Sequence, residues 1–245
     1  MTATSAVQDL PERWEVDGLL FDVVRRPNRS TLEITVERDA SLSLKVPDQA
    51  TTDQVEAFVA AKRSWIFHKL AEKDALFHPP VVKQLIDGEG FAYLGRSHRL
   101  LLVEEQPVPV RLQRGRLCVQ RAAITTHGAS AIRRWYQATG AVWLENRIRP
   151  WAARMGAGEI DVGVSGLGYR WGSVGKPGRV NLHWATLQLP PLLIDYVLVH
   201  ELAHLDETNH TPRFWHLVGT ALPDYERRKD DLAHRGSTLW LGDVQ

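Results

Sequence analysis

The sequence predicts an α+β fold: a mainly β N-terminal half with one long helix, then a C-terminal half in which a small sheet alternates with helices. Three observations predict it. Apolar residues recur at every second position through much of the first half, the period of a half-buried strand. Two long stretches instead carry apolar residues at helical spacing. A third apolar run, Leu187–Leu205, is broken by Pro190, Pro191, Asp195, His200, Glu201 and His204, so it reads as a buried helix rather than a membrane span of about 20 apolar residues.

Taken in order, Met1–Trp14 carries Asp9, Glu12 and Arg13 where an export signal needs apolar residues, and reads as a disordered lead-in. Thr31–Arg38 and Ser41–Val46 alternate as strands, with Arg38-Asp39-Ala40 as their hairpin turn. From Asp53 to about Phe77 the period becomes helical, with Val55, Phe58, Val59, Trp65, Ile66 and Leu70 on one stripe, until His78-Pro79-Pro80 stops it. Strand patterns return at Phe91–Val103, Val108–Leu112 and Leu117–Val119, with Gly88, Gly90, Gly95 and Gly115 at the joints.

A second long helix runs from Ser130 to about Arg154, followed by strands at Glu159–Val164 and Arg179–Trp184. Helices then cover Pro191–Leu205, Pro212–Leu222 and Asp224–Arg235, the last with Gly236 as terminator. A soft boundary precedes the Ser130 helix and gives a lead-in over 1–14, a mainly β domain over 15–125 and a second domain over 126–245. No internal repeat or low-complexity segment is visible.

Bulk properties narrow the function classes. With 245 residues, 44% hydrophobic and 24% charged, the chain is an ordinary globular protein able to bury a large core. Its single cysteine, Cys118, excludes an intramolecular disulfide and a cysteine-based zinc site and suits a reducing compartment, so a cytoplasmic location is expected. A net charge of +1 supplies no global field toward nucleic acid or anionic membranes. Arg133, Arg134, Arg147, Arg149, Arg154, Arg227, Arg228 and Lys229 could still form local basic stripes, although such side chains usually solvate a helix.

The chemistry concentrates in His200-Glu201-Leu202-Ala203-His204. Positions four apart on a helix differ by roughly 40° and about 6 Å along the axis, so both imidazoles can point at one ion. Glu201 sits roughly 100° from His200, at the flank of the same face, where its carboxylate reaches a metal-bound water rather than the metal. Burying two histidines and a glutamate among Leu, Ile and Val without partners would cost several kcal/mol, and a metal explains them. Catalytic zinc takes three protein ligands and leaves the fourth position to water.

His210 is the leading third ligand, with Glu207, Asp206 and His216 as rivals. For His210 to face back, the chain must leave the helix between Asp206 and Asn209. Thr211-Pro212 is an N-cap and first-turn pair that starts a new helix directly afterwards, and Asn209 tolerates left-handed geometry. Asp195, Asp206 or Glu207 could orient a ligand imidazole.

The residues Tyr169-Arg170-Trp171-Gly172-Ser173, Val180-Asn181-Leu182-His183-Trp184, Ile194-Asp195-Tyr196-Val197, His200-Glu201-Leu202-Ala203-His204-Leu205, Asn209-His210 and Phe214-Trp215 together resemble the YgjP-like metal-dependent hydrolase family. Val46-Pro47, Lys62-Arg63-Ser64-Trp65-Ile66 and Tyr93-Leu94-Gly95 extend the resemblance over nearly the whole chain. Val174 stands where that family often has cysteine. The family is similar to the wider zincin peptidases, including the SprT-like and WLM groups associated with DNA-protein crosslinks. The resemblance implies a zincin-like C-terminal domain, a Zn2+ site of His200, His204 and His210, and Glu201 as base.

The expected function is therefore zinc-dependent hydrolysis of a peptide or protein substrate, with Glu201 assisting attack by zinc-bound water. The alternatives are a nucleic-acid-associated protease of the SprT-like or WLM type and a non-catalytic zinc-binding interaction module; Glu201 argues against the latter, since a structural site needs no base. Arg179–Trp184 is read as an edge strand able to pair with an extended peptide, and His183 as a solvent-facing polar residue or an oxyanion partner. Trp171 and Trp215 are expected to line the cleft.

Overall fold

The computed structural model describes residues 11–27, 29–37, 41–75, 79–168, 170–175 and 178–245. The fold is α+β, and the chain divides into two compact units, residues 1–77 and 78–245.

The first unit is a four-stranded sheet with one helix. Strands β1 (Arg13–Val16), β2 (Leu19–Arg25), β3 (Glu33–Val36) and β4 (Leu42–Val46) lie in the order β1-β2-β4-β3. β2 and β4 run parallel at the centre, and β1 and β3 flank them antiparallel. Arg13 and Trp14, assigned to the lead-in by the sequence, already belong to β1. The unread signal was Asp17-Gly18, whose φ values of 53° and 76° make the two-residue turn of a β-hairpin. The first ten residues of the lead-in, the turn at Arg38-Asp39-Ala40 and His78 lie outside the described residues.

Helix α1 (Thr52–Ala75) starts on a reciprocal cap in which Gln54 N–H donates to Thr51 Oγ1 and Thr51 N–H donates to Gln54 Oε1. Val55, Val59 and Ile66 are fully buried with Phe21 and Leu44, whereas Trp65, expected on the same stripe, is 41% exposed.

The second unit begins with the same arrangement. Strands β5 (Gly90–Tyr93), β6 (Arg96–Val103), β7 (Val110–Gln113) and β8 (Arg116–Gln120) take the order β5-β6-β8-β7, again with parallel central strands and antiparallel edges. A repeated topology is thus present that no sequence periodicity betrayed. Helices α2 (Arg121–His127) and α3 (Ala129–Arg154) follow. The boundary expected near residue 126 falls inside α2, because Phe91, Leu100, Leu117 and Val119 share one apolar core with Ile132, Tyr136 and Leu187.

A three-stranded sheet comes next, built from β9 (Asp161–Ser165), β10 (Gly172–Val174) and β11 (Arg179–His183) in the order β10-β11-β9. β11, read from the sequence as an edge, is the central strand, parallel to β9 and antiparallel to β10. The edges are β9 and the short β10, which the sequence did not signal. A 3-10 segment, Trp184–Gln188, leads through Pro190 into α4 (Pro191–Ala203), followed by α5 (Pro212–Ala221) and α6 (Tyr225–Gly236).

Two close approaches seat α4. Gly95, at φ 76° in the β5–β6 turn, lies where a Cβ would come within 2.9 Å of the Pro190 Cα, and Leu94 N–H donates to Leu187 C=O at 2.7 Å. On α4 itself, Asp195 is buried and takes both prongs of the Arg147 guanidinium, at 2.7 and 2.6 Å, with the Trp151 indole N–H at 3.1 Å. Asp195 therefore ties α4 to α3 and does not orient a site imidazole. Gly236 does not act as a left-handed terminator: it ends α6 where a Cβ would meet the Trp171 ring at 2.7 Å.

Candidate metal centre

His200 lies in the last turn of α4, and His204 is its C-cap residue, still in right-handed helical geometry with φ −69° and ψ −13°. The helix then tightens. His204 N–H donates to Glu201 C=O, Leu205 to Leu202 and Asp206 to Ala203, all three-residue closures that wind the last turn into 3-10 geometry. Asn209 N–H donates to a Glu207 carboxylate oxygen at 3.3 Å, and Thr211 N–H to Asn209 C=O at 2.8 Å. The corner is turned without the left-handed Asn209 that the sequence suggested. Thr211 caps α5, its hydroxyl accepting from Phe214 N–H at 3.3 Å, with Pro212 in the first turn.

The corner brings His210 back to α4. The three ring centroids stand 4.9 Å (His200–His204), 5.0 Å (His200–His210) and 4.8 Å (His204–His210) apart, close to an equilateral triangle. One nitrogen from each ring can be chosen so that all lie within 4.8 Å of one another. Among the described residues Glu207, Asp206 and His216 do not join this group. Glu207 contributes differently: its backbone carbonyl faces His204 Nδ1 at 3.1 Å, a contact that occupies one ring nitrogen and leaves Nε2 as the other possible donor.

The residues fit a tetrahedral metal. Zinc–nitrogen bonds of about 2.05 Å at tetrahedral angles would separate two ligand nitrogens by about 3.3 Å. His200 Nε2 and His210 Nε2 are 3.1 Å apart. Burial holds His200 down at about 3, helped by His204, His210 and Lys229, and burial likewise lowers His210. Neutral imidazole is the ligating form, so both rings are ready donors at neutral pH.

Phe214, named by the sequence only within a resembling motif, forms the floor of the site. It is fully buried and its ring centroid lies 4.9, 4.5 and 4.7 Å from those of His200, His204 and His210. Position was the missing signal: a phenylalanine two residues into a capped helix declares its burial but not what it underlies. Trp215 stacks on His210 with centroids 5.6 Å apart and planes at 26°, and Lys229 sits 5.2 Å over the Trp215 ring. Trp171 instead meets His183 edge-on and packs on Gly236.

Glu201 is buried on the flank of α4. β10 runs against it so closely that a Cβ on Gly172 would fall 2.5 Å from Glu201 Oε1, which accounts for glycine there. Burial pushes the Glu201 carboxyl up to about 7, with Arg170 pulling the other way. A carboxyl poised near neutrality can both take and return a proton. His183 is buried rather than solvent-facing, and its Nδ1 accepts from Ala185 N–H at 3.1 Å, capping the 3-10 segment. Tyr169 lies outside the described residues.

Residues 30–235 match the family described as YgjP-like, metallopeptidase domain. Among solved structures, the metallopeptidase zymogen of Pyrococcus abyssi abylysin aligns at 24% identity over 40% of this chain and 98% of that one, with a TM-score of 0.36. No curated protein matches.

Proposed function

The chain belongs to the YgjP-like metallopeptidase family and is a metal-dependent peptidase; from that premise we propose that its metal is zinc, held by His200, His204 and His210, and that Glu201 is the catalytic base. The observation that carries this reading is the triangle of imidazoles with a buried carboxylate beside it and, among the described residues, no acidic side chain joining the ligand group. Zinc bound there would acidify a coordinated water and polarise the scissile carbonyl. Glu201 takes the proton from the attacking water and delivers it to the departing amine, and its raised pKa suits both transfers. Phe214 keeps the ligand rings apolar on one side, which holds their orientation and excludes competing water.

An extended substrate would pair with β10, the edge strand beside Glu201, rather than with β11. The helical arginines give little support to the nucleic-acid-associated alternative: Arg147 is bound to Asp195, and Arg227 and Arg228 to Asp224. A non-catalytic zinc module leaves the buried Glu201 without a role.

Metal analysis and cleavage profiling test the proposal together. The wild-type protein should carry one zinc per chain and cleave members of a peptide library. Glu201→Gln should keep the zinc and cleave roughly 10³-fold more slowly. His210→Ala should lose most of the zinc; full stoichiometry in that variant would remove His210 from the ligand set, and full activity in Glu201→Gln would remove the base.

A further inference from the structure

The outer face of the second four-stranded sheet carries an arginine cluster that the peptidase reading does not use. Arg99 on β6 and Arg116 on β8 are in-register neighbours on parallel strands, so their side chains project from the same face about 5 Å apart at the backbone. Arg111 follows on β7 beside Cys118, and Arg114 occupies the β7–β8 turn at φ 49°. Among the described residues none of these four has an acidic partner. Arg99 donates to the Gly88 carbonyl and Arg111 to Gln106, while among the described residues Arg114 and Arg116 make no side-chain hydrogen bond.

Like charges directly across a strand pair oppose folding, and arginine is a poor choice for a left-handed turn position that favours Asn, Asp or Gly. The first sheet shows the compensated alternative. Matched by register, Asp22 stands where Arg99 does and Glu33 where Arg111 does. Asp22 pairs with Arg13 at 3.0 Å, and Glu33 pairs with Lys45 and Arg29. One topology has thus been given a balanced face in one unit and an all-basic face in the other. Unrelieved local conflicts of this kind gather where a ligand resolves them.

Arg99, Arg114 and Arg116 converge on a depression of about 600 Å³ that also includes Ser97, Gly115 and Asp87. That volume suits a small molecule. Asp87 does not neutralise the arginines: one carboxylate oxygen accepts from Leu102 N–H at 2.6 Å, and the other lies 4.0 Å from Arg121. Among the described residues that line it there is no aromatic wall to stack a base, and beside Ser97 and Asp87 its polar side chains are planar guanidinium forks, which match phosphate oxygens two at a time. We propose that this face of the β5–β8 sheet binds a compact ligand bearing two or more adjacent phosphate groups.

Calorimetric titration of the full-length, zinc-loaded protein with tripolyphosphate at low salt tests the site. Saturable binding is expected, weakening as salt rises and falling at least tenfold in Arg99→Gln/Arg116→Gln, with zinc content and peptide cleavage unchanged. If that double variant does not fold, Arg114→Asn, which suits the turn, should still weaken binding several-fold. No binding by the wild-type protein, or equal binding by these variants, overturns the proposal. So does equal affinity for an oligoglutamate of the same charge, which would make the ligand an acidic peptide. Duplex DNA held by these arginines without competition from tripolyphosphate would also overturn it.

Discussion

The protein contains the connectivity of two hairpins joined by parallel central strands twice, and the two copies have been put to different use. In the first unit the sheet follows local rules: Asp22 pairs with Arg13 and Glu33 with Lys45, and the glycine of its Asp17-Gly18 turn faces open space. In the second unit the equivalent turn, Leu94-Gly95, is pressed against Pro190 at the entry to the helix that bears the site, and the outer face is left with unopposed arginines. The difference teaches where this chain tolerates conflict. The conflicts gather in the second unit, which buries a carboxyl, crowds three imidazoles and sets two arginines side by side.

Paired substitutions break or sharpen this comparison. The largest effect is expected from Phe214→Ala and Phe21→Ala, both fully buried, each costing about 3–5 kcal/mol in urea unfolding. Only Phe214→Ala should also weaken zinc binding, by at least tenfold; equal zinc affinity in both variants would deny Phe214 its place beneath the rings. Next comes the pair of turn glycines. Gly18→Ala should cost about 1 kcal/mol for the left-handed backbone alone, whereas Gly95→Ala adds a backbone clash and should cost about 3 kcal/mol. Equal losses would mean that the second turn does not seat α4.

A smaller effect is expected at Glu201 in metal-free protein. Its folded pKa of about 7 lies above the ordinary 4.5, so the folded state holds the proton more tightly and its stability declines as pH rises from 4.5 through 7. Glu201→Gln should therefore stabilise EDTA-treated protein by roughly 2–3 kcal/mol at pH 8 and by almost nothing at pH 4. A pH-independent difference would show that the carboxyl is not held up by burial. The smallest effects belong to the two sheet faces. Asp22→Asn, losing an exposed ion pair, should cost under about 1 kcal/mol, while Arg116→Gln should be neutral or stabilise by a few tenths. A clear loss of stability in Arg116→Gln would mean that the arginines are structurally compensated.

Much of the candidate site is legible because it is local. A helix sets His200, Glu201 and His204 on one face by its period alone, and Thr211-Pro212 announces where the next helix begins, so the corner that returns His210 could be argued from neighbouring residues. Strands β3 and β4 and helices α1 and α3 were readable for the same reason: each carries its burial pattern within its own length.

What only the tertiary structure decided is every fact that depends on which distant segment lies alongside. β11 looks like an edge until β10 pairs with it, and β10 is too short to show a period. Asp195 could orient a ligand or anchor a helix, and the choice rests with Arg147, far away in sequence on α3. Phe214 becomes a floor only when α5 folds back under α4, and Arg99 joins a basic cluster only when Arg116 arrives beside it in register. Local periodicity and capping write the elements and the histidine spacing into the sequence; pairing register and packing, which join residues far apart in the chain, set what those elements confront.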